Sequence, residues 1–112
     1  MFGPSAEFEA WAADQGVPLT GSPDSLVVVD GRLDEWWNAE VGPSLGNEVG
    51  AYLGNVLVEN TVGAQWVAWP NGHPVVRLAS GRELDVFEVV RQRLGGRGPR
   101  LAEVYGDAAE TR

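Results

Sequence analysis

The residues of this chain with chemistry to offer are few: a single histidine, two adjacent carboxylates beside two tryptophans, a second tryptophan pair, a late arginine cluster and five serines. His73 stands between Gly72 and Pro74. A general base needs an orienting partner and a shielded site. A turn tip supplies neither, so His73 reads as a solvent-exposed turn residue. One histidine among scattered carboxylates also lacks the spacing of a metal site.

Asp34 and Glu35 adjoin Trp36 and Trp37. A carboxylate held against an aromatic wall has a raised pKa, as the acids of glycosidases do. Neighbouring helix positions, however, point about 100° apart, so only some of these four share any pocket. Adjacent tryptophans on an amphipathic helix are read as one in the core and one at its boundary. A half-exposed member would serve as an interaction anchor.

Trp66 and Trp69 fall on opposite faces of one short strand. Helices covering one face would leave one ring on the open side. That ring would be a platform for a ligand or partner, with plain packing as the alternative.

Arg97 and Arg100 would bind a carboxylate or phosphate if they flanked a groove. The loop Gly95-Gly96-Arg97-Gly98-Pro99 is no phosphate cradle, because it follows a helix, whereas such a loop follows a strand and opens a helix. None of Ser5, Ser22, Ser25, Ser44 and Ser80 lies in a Gly-x-Ser-x-Gly elbow.

Composition narrows the classes further. A chain of 112 residues makes one domain, and its 44% apolar content is enough for a core without staples. The absence of cysteine excludes disulfides, thiolate metal sites and cysteine nucleophiles, and the absence of lysine excludes Schiff bases. The net charge of −8 disfavours nonspecific binding to nucleic acid or an anionic membrane. The charge is uneven: residues 1–60 hold ten acids and one arginine, residues 61–112 six acids and seven arginines. The first half would present an acidic face to a basic partner, unless it is simply a solvated surface. No apolar run approaches the ~20 residues of a membrane span, and no secretory signal is visible. A cytoplasmic protein is expected.

The elements that must position these residues follow from periodicity and caps. Ser5 caps a helix over about 6–15, with Phe8, Trp11 and Ala12 as its apolar stripe. Leu26-Val27-Val28-Val29 alone resembles a buried strand. Its flanks, Ser22, Pro23 and Asp24, are a helix start, so a helix is expected over about 23–37. Leu45, Val49, Tyr52, Leu53, Val56 and Leu57 repeat at helical spacing. Gly46, Gly50 and Gly54 line one edge of that helix, which asks for close approach by another backbone. Gln65–Trp69 and Pro74–Leu78 form a hairpin turned at Asn71-Gly72, and Arg82–Leu84 adds a third strand. Asp85 and Glu88 form a capping box for a helix that Gly95-Gly96 ends. Leu101–Tyr105 forms a last short helix, and a disordered tail is expected from about residue 107.

The order Leu45-Gly46-x-x-x-Gly50-x-Tyr52-Leu53-Gly54-x-Val56-Leu57, Gln65-Trp66, Asn71-Gly72-x-Pro74-x-Val76-x-Leu78 and Asp85-x-Phe87-x-x-Val90-x-x-Arg93-Leu94 resembles small bacterial proteins grouped as domains of unknown function, many of them actinobacterial. The resemblance covers about residues 45–94. It implies a helix–meander–helix unit in a bacterial protein and carries no activity to any residue.

The expected fold is α+β: N-terminal helices, a short antiparallel meander, and a C-terminal helix packed on the sheet. The expected function is a noncatalytic protein-binding, adaptor or immunity-type module with a protein partner, basic in charge. The alternatives are a small-molecule binder with a Trp-lined pocket between the meander and the glycine-edged helix, and an enzyme using Asp34 or Glu35. Trp36, Trp37, Trp66, Trp69, Arg97 and Arg100 are the binding candidates. No cofactor or metal is implied.

Overall fold

The computed structural model describes residues 6–38, 44–96 and 98–110. Ser5, the 39–43 loop, Arg97 and the last two residues lie outside the described residues, as do the side chains of Asp34, Trp37 and Leu45.

The order is α1 (Ala6–Asp14), α2 (Pro23–Asn38), α3 (Ser44–Asn60), β1 (Gln65–Ala68), β2 (Pro74–Arg77), β3 (Glu83–Leu84), α4 (Val86–Leu94) and α5 (Leu101–Glu110). The class is α+β, with a three-stranded antiparallel sheet in the order β1-β2-β3. The ambiguous Leu26–Val29 run is helical. Leu26 and Val29 are buried while Val27 and Val28 are exposed, the division that a helix imposes and a two-sided strand does not. No helix among the described residues is long and apolar enough to cross a membrane.

The core has an aromatic end and a sheet end. At the first, Phe8, Trp11 and Trp36 pack edge to face or stacked, with Phe8–Trp36 centroids 5.9 Å apart and Trp11–Trp36 centroids 5.0 Å apart. Tyr52 joins them at 5.9 Å from Phe8. Its buried hydroxyl accepts from the Gly21 amide at 3.0 Å and pairs with the Ser25 hydroxyl at 2.7 Å, so the polar end of a buried ring is satisfied. At the second end the sheet rests on α3. Trp66, Val76 and Leu84 face inward, and the register pairs Trp66 with Val76 and Val76 with Leu84.

The glycine edge of α3 is where that packing is tightest. A Cβ on Gly54 would sit inside the Trp66 indole, and one on Gly50 would stand 2.7 Å from Phe87 Cδ1 and 3.1 Å from Phe87 Cα. The expected close approach therefore involves a backbone only at Gly50. At Gly54 it is a tryptophan ring. Phe87 also brings α4 to the sheet, with its ring centroid 6.2 Å from that of Trp66.

The chain end differs from expectation. α5 continues through Asp107 to Glu110, where sequence places a frayed tail. Ala108 is buried in the core cluster, and Arg82 Nη1 holds Asp107 Oδ2 at 2.9 Å.

Candidate functional site

The hairpin tip and the start of α4 meet because of the meander's register. Extending the Val76–Leu84 pairing by one residue sets Asp85 across from Val75, within a side chain's reach of His73. The tip itself is a tight turn. Gly72 has φ +87°, its amide reaches the Trp69 carbonyl at 2.7 Å, and the His73 amide reaches Asn71 Oδ1 at 2.9 Å. Asp85 caps α4, its Oδ1 accepting from the Glu88 amide at 3.1 Å. Its other oxygen, Oδ2, lies 2.9 Å from His73 Nε2.

His73 is therefore not the unpartnered turn residue that its sequence setting suggests. The carboxylate orients its ring, and the ring packs between Trp69, 5.5 Å away, and Phe87, 6.0 Å away. Its side chain is 31% exposed. A carboxylate oxygen only accepts, so Nε2 carries a hydrogen toward it, and Nδ1 is the ring nitrogen left for another partner.

A cavity of about 400 Å³ opens beside this pair, between the hairpin tip, α3 and α4, and is lined by Asn47, His73, Pro74, Phe87 and Arg91. Phe87 and Pro74 make its apolar walls. Arg91 commits Nε and Nη2 to Glu88 Oε2, at 3.0 and 2.6 Å, which leaves Nη1 uncommitted among the described residues. The Asn47 side-chain amide has no partner among them either. Three polar side chains with unused hydrogen-bonding capacity thus converge on an aromatic wall, the usual build of a small-molecule site.

The sequence candidates are distributed differently. Trp36 is buried in the core at 1% exposure. Trp66 is half-buried under α3, and its Nε1 donates to Asn55 Oδ1 at 3.0 Å. Trp69 lies on the other strand face, 37% exposed, and its Nε1 donates to Glu83 Oε1 at 3.0 Å. Neither ring lines the cavity, so it is not the Trp-lined pocket expected between meander and α3. Glu83 also accepts from Arg77 Nη2 at 3.0 Å. The Arg77 hydrogen bond, and then that of Trp69, hold its carboxyl below the usual carboxylate range.

Arg100 lines a second hollow of about 590 Å³ together with Asp30, Arg93 and Glu103. There the carboxylate of buried Asp30 already occupies the start of α5, accepting from the Leu101 amide at 2.9 Å and the Ala102 amide at 3.1 Å. Arg93 Nε lies 3.6 Å from Asp30 Oδ1, and Arg93 Nη2 donates to the Asp30 carbonyl at 3.0 Å. Of the hollow's two arginines, Arg93 meets the protein's own acid, while the Arg100 side chain has no ion pair among the described residues. Glu35 is exposed and tied to Arg32 at 2.9 Å, away from any cavity described above. Among the described residues no three His, Asp or Glu side chains gather as metal ligands.

Sequence reasoning missed Asn47, Phe87 and Arg91 as cavity residues and Asp85 as the partner of His73. The capping box did fix Asp85 at the start of α4. The β2–β3 register, which a two-residue strand scarcely announces, was the missing signal.

The model of the Family of unknown function (DUF6278) covers residues 6–111, and the chain belongs to that family. No curated protein and no solved structure matches it.

Proposed function

We propose that this member of the family is a noncatalytic binding protein whose ligand is a small molecule held in the His73–Phe87 cavity. One observation carries the proposal: a histidine ring oriented by Asp85 lines a cavity that also offers Asn47, Arg91 and an aromatic wall. A volume of about 400 Å³ is within the range of small-molecule sites. Oriented polar groups cost little to organise when a ligand arrives. Among the described residues no hydroxyl nucleophile lines the cavity.

A fragment library followed by amide and side-chain NMR tests this. Hits are expected to shift Asn47, His73, Phe87 and Arg91 together. A library with no hits there, or hits that shift only the Asp30–Arg100 hollow, refutes the site.

A protein partner is the second reading, favoured by the exposed Trp69 ring and the acid-rich first half of the chain. Its test is capture at low salt, where electrostatic encounter is strongest. A partner retained by the wild type and lost by Trp69→Ala supports it. Only background proteins, or equal capture by both forms, removes it.

A further inference from the structure

The unused hydrogen-bonding capacity around the cavity is not of one kind, and it differs from wall to wall. The geometry points to a ligand class: a small, flat acid that carries both an anionic oxygen and a hydrogen-bond donor, as a hydroxy-substituted aromatic carboxylate does. The inference rests on the cavity being the ligand site.

Arg91 supplies the anion requirement. Guanidinium groups pair with carboxylates through parallel N–H bonds. Glu88 takes Nε and one edge of Nη2, so Nη1 is the donor left over. Arg91 is 56% exposed on its side chain, which leaves room for an acid to share the guanidinium with Glu88.

His73 supplies the donor requirement. Asp85 Oδ2 fixes a hydrogen on Nε2, so Nδ1 is the nitrogen His73 has to offer, and in the neutral tautomer it accepts. A ligand oxygen without a hydrogen meets lone pair against lone pair there, whereas a hydroxyl or an N–H is matched. Asn47 has both a carbonyl and an amino group and tolerates either end of such a ligand.

Phe87 sets the body. Its ring is buried to 5% exposure and is backed by Gly50, where a Cβ would clash with it. The ring is thus fixed from behind, a rigid wall for a flat or apolar body. Pro74 adds a second apolar surface with no N–H to satisfy.

Four probes separate the two requirements: 4-hydroxybenzoate, benzoate without the donor, 4-hydroxybenzamide without the charge, and phenol. Each is titrated into the full chain, with chemical shifts at residues 47, 73, 87 and 91 as the readout. The acid with both groups should bind about tenfold tighter than benzoate or the amide, since each matched polar contact is worth about that factor. Arg91→Gln should erase the preference for acid over amide, and His73→Phe the preference for the hydroxyl. The wild-type comparison stands without either variant. Equal binding of all four at these residues overturns the ligand class and leaves the cavity as a site. No shift there from any probe, with hits from the fragment library at the same residues, overturns the class alone. No shift from probes or library overturns the cavity reading itself.

Discussion

Asp85 and Asp30 each hold the first turn of a helix, one from the adjoining residue and the other from across the fold. Asp85 caps α4 through the Glu88 amide three residues on. Asp30 caps α5 through amides that are 71 and 72 residues away in sequence. Both carboxylates have a second, cationic or ring partner: Arg93 for Asp30 and His73 for Asp85. Burial separates them. The Asp30 and Arg93 side chains are 5% and 14% exposed, those of Asp85 and His73 24% and 31%. Less exposed to water, the first arrangement joins α2, α4 and α5. The second leaves a histidine ring at the wall of a cavity. The same elementary chemistry makes a joint in one place and a site in the other, and solvent access decides which.

The largest expected effect is at the joint. Asp30→Ala strips two amides and Arg93 of their buried acceptor. Breaking a buried pair this way costs about 3–5 kcal/mol, which in a domain of this size lowers the Tm by more than about 10 °C. Urea and thermal unfolding measure it. A loss under about 1 kcal/mol would mean that Asp30 is no joint. Asp30→Ala with Arg93→Met sharpens the point: because the Asp30–Arg93 contact is lost only once, the double variant's loss should fall short of the sum of the two single losses by about 1 kcal/mol. Strict additivity of the two changes would break the coupling.

The contrast also explains what the sequence made legible. Asp85-x-x-Glu88 lies within one helical turn, so its cap is readable, as are the Asn71-Gly72 hairpin and the helix start that resolves Leu26–Val29. Asp30 sits mid-helix in α2, where an acid reads as a solvated face, and nothing local says that the start of α5 arrives beside it. The length of α5 did leave a trace: Leu101, Val104, Tyr105 and Ala108 repeat at i, i+3, i+4 and i+7, and burial of Ala108 in the core holds the helix past Gly106. Gly46, Gly50 and Gly54 correctly signalled a close neighbour, but not that Gly54 accommodates a tryptophan ring. At the candidate site the walls were readable as separate elements, while the His73–Asp85 pairing depended on a register fixed only in three dimensions.

A smaller effect is expected at the open pair. Asp85→Ala removes a cap worth about 1 kcal/mol and frees His73, so the Tm should fall by several degrees, while the His73 ring resonances shift strongly. The ratio of the two effects is the informative quantity. Asp85→Ala costing as much stability as Asp30→Ala would make the tip a second joint and remove the distinction between them. A modest stability loss with weakened binding of every fragment that maps to the cavity is the expected outcome.

Glu83 extends the comparison to a surface strand, where its partner Arg77 is 46% exposed. Its carboxyl takes hydrogen bonds from Arg77 and Trp69, and they lower its pKa in the folded chain. A folded pKa below the unfolded one means that the stabilisation is complete above the ordinary glutamate value of about 4.3. It is lost as pH falls through the lower, folded value. Glu83→Gln should therefore unfold at slightly lower urea than the wild type at pH 7, with the gap closing as the medium is taken below about pH 4. Water and salt screen so open a pair, so the gap should also shrink in concentrated salt, which the Asp30 effect should resist. A gap that persists unchanged in strong acid would detach the Arg77 and Trp69 contacts from the charge on Glu83. It would also show that exposure alone does not rank the three carboxylates.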